Sequence, residues 1–344
     1  MAIGIGLMGF GAIARKHLAT VRAFGDAEIV GVLDPSPQAL AAAAAEGLRG
    51  FRDAAAFFAS PGLDAVIVAT PNQLHEAGAV ACIERGLPVL IEKPVADRVA
   101  AGERIVALQQ KFGTPVLVGH HRRHNPIIAA AREIVRSGRI GKVTAVAGLT
   151  LFLKPDDYFD VAWRREAGGG PVLINLIHDI DDLRFICGEI VAIEAMTSSA
   201  RRGFPVEDTA AVIARLENGA IATLVVSDAV PAPWSWEMSS RENAIYPQHG
   251  ENCCLIAGTE GSLTVPRLEL WRYPGKRGWF EPLSCEKIAV APAEPFGRQF
   301  AHFLDVIQGR AAPLVTPEDA LCTLEATLAV ARAASQARSR VELA

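Results

Sequence analysis

Residues 89–94 read Val89-Leu90-Ile91-Glu92-Lys93-Pro94. Three apolar residues run into a charged pair, and a proline stops the run. A short apolar run bounded by a breaker predicts a strand buried on both faces of a parallel sheet. Ligands of open parallel sheets bind beyond the carboxyl ends of the strands, where Glu92 and Lys93 stand. A partly desolvated lysine there has a lowered pKa and can trade protons near neutrality. The same pair also reads as a surface salt bridge at a strand end. The chain on either side decides between the two.

Upstream, Ala2 to Leu7 predicts a first strand. It runs into Gly9-Phe10-Gly11-Ala12-Ile13-Ala14, followed by a helical stretch to Phe24. Gly9 permits the tight turn, Gly11 lets the backbone approach a pyrophosphate, and Ala14 keeps helix and strand close. The helix N-terminus supplies N–H donors to the anion. Such a glycine motif is weak alone; strand before and helix after are the context that gives it meaning. Glu28 to Leu33 predicts the second strand and ends in Asp34, placed to accept hydrogen bonds from the ribose hydroxyls. Asp34 also reads as a turn or capping residue before Pro35. Ser36 stands in the same turn, which carries no Arg or Lys for a 2′-phosphate, so the cofactor expected is NAD in preference to NADP. The strand Asp64 to Ala69 ends in Thr70-Pro71-Asn72, candidates for the cofactor wall. A helix over about 73–85 follows, with His75 facing either cofactor or solvent. A helix over about 99–112 and a strand over 114–119 complete an alternating pattern.

The 344 residues suggest two domains, and a composition 50% hydrophobic and 21% charged has ample core-forming material. A net charge of −4 gives no reason to expect nucleic acid or an anionic membrane as partner. No uninterrupted apolar run of about 18 residues predicts a membrane span. The apolar N-terminus is broken by glycines and lacks a basic leader, so no signal peptide is expected. Six scattered cysteines without a C-x-x-C pair fit a reducing, cytoplasmic setting.

The residues Gly9-Phe10-Gly11-Ala12-Ile13-Ala14, Asp34, Thr70-Pro71-Asn72 and Glu92-Lys93-Pro94, followed by Gly168-Gly169-Gly170, His178 and Asp181, stand in one order. In that order they resemble the Gfo/Idh/MocA family of NAD(P)-dependent oxidoreductases, which includes inositol dehydrogenases and glucose–fructose oxidoreductases. The motifs span roughly the first half of the chain, and Glu-Lys-Pro at a strand end is the most specific. The resemblance implies an α/β fold. A doubly wound parallel Rossmann sheet occupies residues 1–120. An α/β domain with a large open, mostly antiparallel sheet occupies 121–344, and its last helix packs back near the first domain. It also implies a homodimer or homotetramer.

Gly119-His120-His121-Arg122-Arg123-His124-Asn125-Pro126 enters the second domain. His120 and His124 have a spacing seen in metal sites, but Pro126 and the preceding strand argue against one continuous helix, and no metal is assigned. The segment is expected to form a positive wall beside the nicotinamide, with Arg122 toward the cofactor. Pro171 then opens a predicted helix to about Cys187. On it, Ile174 and Asn175 precede His178 by one turn, and Asp181 and Asp182 follow by one turn. The family commonly carries an aspartate where Ile174 stands. An asparagine orients a hydroxyl but carries no proton, so proton transfer is left to Lys93 and His178, with Asn175 orienting the substrate and Asp182 orienting the imidazole. His178 otherwise reads as a packed core histidine.

After Gly188 an alternating pattern predicts an antiparallel sheet, with Asn218-Gly219 as a hairpin turn. The irregular stretch 231–250 holds Trp234 and Trp236, which read either as stacking platforms for a ring or as loop anchors. The function expected is hydride transfer between NAD and a secondary alcohol or ketone carbon of a small cyclic polyol, sugar or hydroxy acid. The substrate residues expected are Lys93, Arg123, Trp163, Arg164, Asn175, His178 and Trp236. Arg122, Arg123, Arg164 and Arg165, which the resemblance places near the nicotinamide, read either as recognition of an acidic substrate or as partners of the cofactor pyrophosphate, Glu166 and the Asp179–Asp182 cluster. The alternative class is a non-catalytic, NAD-sensing regulator of the same fold.

Overall fold

A computed structural model of the chain describes residues 2–336. It divides into two compact units. The first comprises the chain through His124 together with Glu294–Leu324; the second comprises Asn125–Ala293 with the chain from Glu325 onward.

The first unit alternates β1 (Ile3–Met8), α1 (Ala12–Arg22), β2 (Ala27–Leu33), α2 (Pro37–Ala45), β3 (Gly50–Phe51) and α3 (Ala54–Phe58). Then come β4 (Ala65–Val68), α4 (His75–Ile83), β5 (Val89–Glu92), α5 (Val99–Phe112) and β6 (Val116–Gly119). The six strands are parallel in the order β3-β2-β1-β4-β5-β6. The winding reverses at β1, so the crevice at a topological switch point lies beyond the carboxyl ends of β1 and β4. Every residue of β4, β5 and β6 is buried, as expected for strands covered on both faces. Burying each Val, Leu or Ile there contributes about 1.5–3 kcal/mol. The two-residue β3 is too short to show a period, and sequence reading passed over it.

A 3₁₀ turn at His121–His124 precedes the second unit, which holds α6 (Pro126–Arg136), β7 (Val143–Leu151), α7 (Ile177–Cys187), β8 (Ile190–Ser198), β9 (Thr209–Leu216) and β10 (Ile221–Ser227). The short α8 (Trp236–Ser239) and four strands follow: β11 (Cys254–Gly258), β12 (Ser262–Val265), β13 (Glu269–Arg272) and β14 (Ser284–Lys287). The eight strands run β14-β13-β12-β11-β7-β10-β9-β8, antiparallel apart from the β7–β10 pair. Asn218-Gly219 makes the turn between β9 and β10, with Gly219 at φ 87°. One face of the sheet packs on α6 and α7 through Ile128, Ile134, Leu176, Ile180, Val212 and Leu224.

The helix predicted from Pro171 to Cys187 is not uniform. Val172–Leu176 is a π-helical turn, and α-helical geometry begins only at Ile177. A single turn of apolar residues looks the same at either pitch, so the pattern does not distinguish them. Here the Val172 amide donates to the Glu207 carboxylate at 3.1 Å, and the Ile177 amide reaches back to the Val172 carbonyl.

Two helices close the chain, α9 (Pro295–Ile307) and α10 (Pro317–Ser335). The sequence pattern predicts helices near 296–308 and 317–338; residues 337 and 338 of the second lie outside the described region. α9 belongs to the first unit. Phe300 is 1% exposed and meets Phe24 edge-on at 5.2 Å, while the Val118 amide donates to the Val315 carbonyl at 3.0 Å.

Candidate active site

The carboxyl edge of the parallel sheet is built around Gly9. Its φ of 87° favours glycine, and a Cβ there would lie 2.6 Å from the Ala69 carbonyl oxygen. In front of Gly11 there is open space, with nothing within 4 Å of the position a Cβ would take. No side chain caps α1, so its first-turn N–H groups remain available to an anion. Asp34 joins the turn to β2. Its Oδ2 accepts from the Phe10 amide at 2.9 Å, and its Oδ1 accepts from the Ser36 amide at 2.8 Å. Each oxygen keeps a lone pair for a ribose hydroxyl. Thr70 Oγ1 is buried without a protein partner at the end of β4. These residues fit a dinucleotide: a cradle that a Cβ would disturb, open donors and an unsatisfied hydroxyl. Ser36, expected at the cofactor, caps α2 by accepting from the Ala39 amide at 3.3 Å. Phe10 is 2% exposed, so its ring belongs to the core and only its backbone serves the turn.

Lys93 is half-buried at the end of β5 and is pinned on both sides. On one side stands Glu92, 5% exposed. Its Oε1 lies 2.7 Å from His17 Nε2, and its Oε2 accepts from the Lys93 amide at 3.2 Å. Glu92 therefore does not face the cofactor as expected; it turns inward to α1. Burial alone raises its pKa, but the bond and charge of His17, with His121 and Lys93, overcome this and hold it below the ordinary value. On the other side is His75, which faces neither of the two directions left open. It is 1% exposed, with Nδ1 2.7 Å from the Pro94 carbonyl and Nε2 2.9 Å from the Thr70 carbonyl. Burial lowers its pKa against the pull of these two carbonyls. His75 thus ties the end of β4 to the Lys93-Pro94 segment.

The positive wall expected from residues 120–124 is weaker than its composition. His124 is 6% exposed. Burial, followed by the charges of His302, His121, Arg298 and Arg123, pushes its pKa down to about 3, so it is neutral at pH 7. Arg123 is 4% exposed and gives both terminal nitrogens to Asp319. The His121 ring stacks on Phe296 with centroids 4.5 Å apart. Arg122 is buried in the same turn.

In the second unit Gly169 and Gly170 let the chain pass between neighbours that a Cβ would strike: the Trp163 carbonyl against Gly169, the Glu207 carboxylate against Gly170. Burial raises the pKa of Glu207, the carboxylate that receives the Val172 amide. The π turn presents Asn175, whose Oδ1 accepts from Lys154 Nζ at 2.8 Å. Lys154 pairs with Asp228 at 3.1 Å, and Arg202 Nε reaches the other Asp228 oxygen at 3.2 Å. His178 is 8% exposed in the first turn of α7, with Asp181 and Asp182 one turn on.

Trp236 is corrected from substrate contact to core: it is 3% exposed, and its Nε1 donates to Glu242 at 3.0 Å. Trp163 is surface-exposed. Arg164 donates to the Tyr158 carbonyl at 2.7 Å and stacks over the Tyr158 ring at 4.0 Å. His17, Lys154, Glu207 and Asp228 escaped sequence reading. Lys154 had a signal: Phe152-Leu153-Lys154-Pro155 follows a strand, as Ile91-Glu92-Lys93-Pro94 ends one.

Comparison with known proteins adds the following. Residues 3–120 match the profile described as "Oxidoreductase family, NAD-binding Rossmann fold", and residues 128–264 match the "GFO/IDH/MocA C-terminal domain". The chain is 29% identical over 338 residues to a 1,5-anhydro-D-fructose reductase of Ensifer adhaerens, covering 96% of each. It is 30% identical over 240 residues to an inositol 2-dehydrogenase 2 of Saccharopolyspora erythraea, covering 66% of this chain and 67% of that one. The WlbA dehydrogenase of Bordetella pertussis, solved with NADH and UDP-GlcNAcA, superposes with a TM-score of 0.79 at 26% identity over 97% of each chain. An Agrobacterium radiobacter oxidoreductase solved with NAD+, L-tartaric acid and magnesium shares the fold, with a TM-score of 0.80 at 22% identity over 98% of each chain.

Proposed function

The chain belongs to the Gfo/Idh/MocA oxidoreductase family with an NAD-binding Rossmann domain, and from that premise we propose its reaction and its residues. It is an NAD-dependent oxidoreductase that moves a hydride between nicotinamide and the secondary alcohol or ketone carbon of a small cyclic polyol, sugar or hydroxy acid. The observation that carries this reading is the joined edge of the parallel sheet. Gly9, Asp34 and the open start of α1 meet a Lys93 segment held by Glu92 and His75. The names of the relatives are those of dehydrogenases and reductases, which favours an enzyme over the regulatory alternative.

NAD, when bound, supplies or accepts the hydride. The backbone amides of Gly11 to Ile13, at the uncapped start of α1, bind its pyrophosphate, while Gly9 and Phe10 shape the turn, and Asp34 binds the ribose hydroxyls. Thr70 Oγ1, with Pro71 and Asn72, lines the cofactor wall. Lys93 and His178 are the groups assigned to the hydroxyl proton; Asn175 orients the substrate. A base near the reacting hydroxyl matters because hydride leaves carbon only as the O–H proton departs. The test is NAD-linked turnover across neutral polyols, sugars and cyclic hydroxy acids. Reduction of NAD with at least one secondary alcohol is expected. Tight NAD binding without turnover of any member would favour the regulatory alternative.

The assembly proposed is a homodimer or homotetramer. The strand register places Met196, Ile213, Ile221 and Leu255 on one face of the eight-stranded sheet, opposite α6 and α7. They are 69%, 50%, 52% and 51% exposed, an apolar surface of the kind that pairs with another copy. Cytoplasmic placement is part of the same reading, since all six cysteines are free thiols. Among the described residues, no helix is long and apolar enough to cross a membrane.

A further inference from the structure

Lys154 stands just past the carboxyl end of β7, a central strand of the second unit's sheet, and is 7% exposed. An ammonium so enclosed is costly unless paired, and burial lowers its pKa while Asp228 opposes the shift. Asp228 is itself 1% exposed and has a second cation, Arg202, whose Nη2 also donates to the Lys154 carbonyl at 3.0 Å and to the Asp228 carbonyl at 2.6 Å. Phe152 and Tyr158 flank the ammonium, with ring centroids 5.7 and 4.8 Å away. The lysine head is therefore fixed from several directions and has little freedom to turn.

The consequence falls on Asn175. Which end of an asparagine amide is oxygen is usually an assignment from its neighbours. Here the neighbour decides it, because an ammonium has three donors and no acceptor. The Asn175 oxygen must face Lys154, and the NH2 must face the other way. That nitrogen donates to no protein atom among the described residues and is not sealed from solvent. Asn175 is thus a one-way donor. A sugar hydroxyl accepts or donates and would be served by either orientation of the amide. A carboxylate only accepts, and only the observed orientation serves it.

We propose that Lys154 is a positioning residue that opens this site to acids: its hydrogen bond, held by the ion pair with Asp228, turns Asn175 into a fixed donor, which a carboxylate-bearing substrate requires and a hydroxyl does not. The inference rests on the reading that Asn175 meets the substrate. It does not depend on the arginines of residues 122–123 or on Trp236. Asn175→Asp is the sharpest variant, since a carboxylate still accepts from Lys154 but repels a second carboxylate. Lys154→Met frees the amide to rotate and leaves Asp228 paired with Arg202. Lys154→Arg keeps a donor-only head and restores the orientation.

Calorimetric titration of the NADH-loaded protein with quinate and with myo-inositol tests this. Quinate is expected to bind the wild-type protein. Asn175→Asp and Lys154→Met are each expected to weaken quinate about tenfold or more, the scale of one lost directional bond to a charged group. In Lys154→Met, binding of myo-inositol is expected to change by less than about threefold and NADH affinity to hold, and Lys154→Arg is expected to retain most of the wild-type quinate affinity. Quinate affinity within about twofold of wild type in both variants overturns the inference. So does a loss of quinate, myo-inositol and NADH together, which would mark a merely structural lysine. If Lys154→Met does not fold, Asn175→Asp decides the matter alone. Wild-type protein that binds no quinate also overturns it, while turnover of a neutral alcohol with NAD would leave the oxidoreductase reading intact.

Discussion

Glu92 Oε1 lies 2.7 Å from His17 Nε2, and both side chains are almost wholly enclosed. The pair couples two parts of the site that are far apart in sequence. His17 rides on α1, whose start is the proposed pyrophosphate site, and Glu92 receives the amide of Lys93. A displacement of α1 therefore reaches the proposed acid/base lysine through one hydrogen bond and one peptide.

Removing one partner of that pair should be costly. In His17→Ala, Glu92 keeps its burial and loses its main partner, a change that typically costs about 3–5 kcal/mol. Urea denaturation is expected to show this loss, and Glu92→Gln in the same background is expected to recover part of it. Full stability in His17→Ala would mean that His121 and Lys93 suffice to hold the carboxylate.

Glu92 and His124 both weaken the fold in acid, with different windows. The Glu92 pKa is lowered on folding, so its contribution is present above the ordinary carboxylate value near 4.5 and is lost as pH falls through the folded value. His124 titrates near 6.5 when unfolded and at about 3 when folded. Between those values the unfolded chain holds more protons, so stability is lost as pH falls, by an amount approaching ~1.4 kcal/mol per pH unit. Unfolding free energies measured from pH 7 to pH 4 are expected to slope downward. His124→Gln is expected to flatten the slope above pH 4.5, and an unchanged slope would remove His124 from the account.

Lys93→Ala is expected to lower turnover by about 10²–10⁴-fold while NAD binding changes little. Stopped-turnover assays and fluorescence titration of the cofactor separate the two effects. Activity within a few-fold of wild type would leave Lys93 as a structural strand end.

Asp34 accepts from the Phe10 amide and is the residue proposed to hold the ribose. Asp34→Ala is expected to weaken NAD about tenfold and to narrow the preference for NAD over NADP. Wild-type protein that binds NADP more tightly than NAD would contradict the assignment.

A charge on the open sheet face should disrupt assembly. Ile213→Lys, alone or with Leu255→Lys, is expected to lower the mass measured by light scattering at micromolar protein without changing the far-ultraviolet spectrum. A monomeric wild-type chain would remove the proposed oligomer.

The chain's local patterns carried most strands of the parallel sheet, whereas the place of residues 294–324 in the first unit was not legible in them. Glycine spacing, an acid ending the second strand, and a lysine ending a fully apolar strand depend on backbone geometry within a few residues, and such geometry is written locally. The alternation of β9 and the Asn218-Gly219 turn are legible for the same reason. Other features required the folded chain. His17 and Glu92 are 75 residues apart, and nothing near either names the other. The 3₁₀ turn buries His124 and brings it against His302; burial first, and then the neighbouring charges, strip the charge its composition suggested. Trp236 stands in a stretch that looks like a loop, yet its place in the core is set by the sheet beneath it. Lys154 meets Asn175 and Asp228 only because β7 and β10 lie side by side and the π turn aims Asn175 toward their ends. Burial, pairing and pKa are properties of what surrounds a side chain, and those surroundings come from distant parts of the chain.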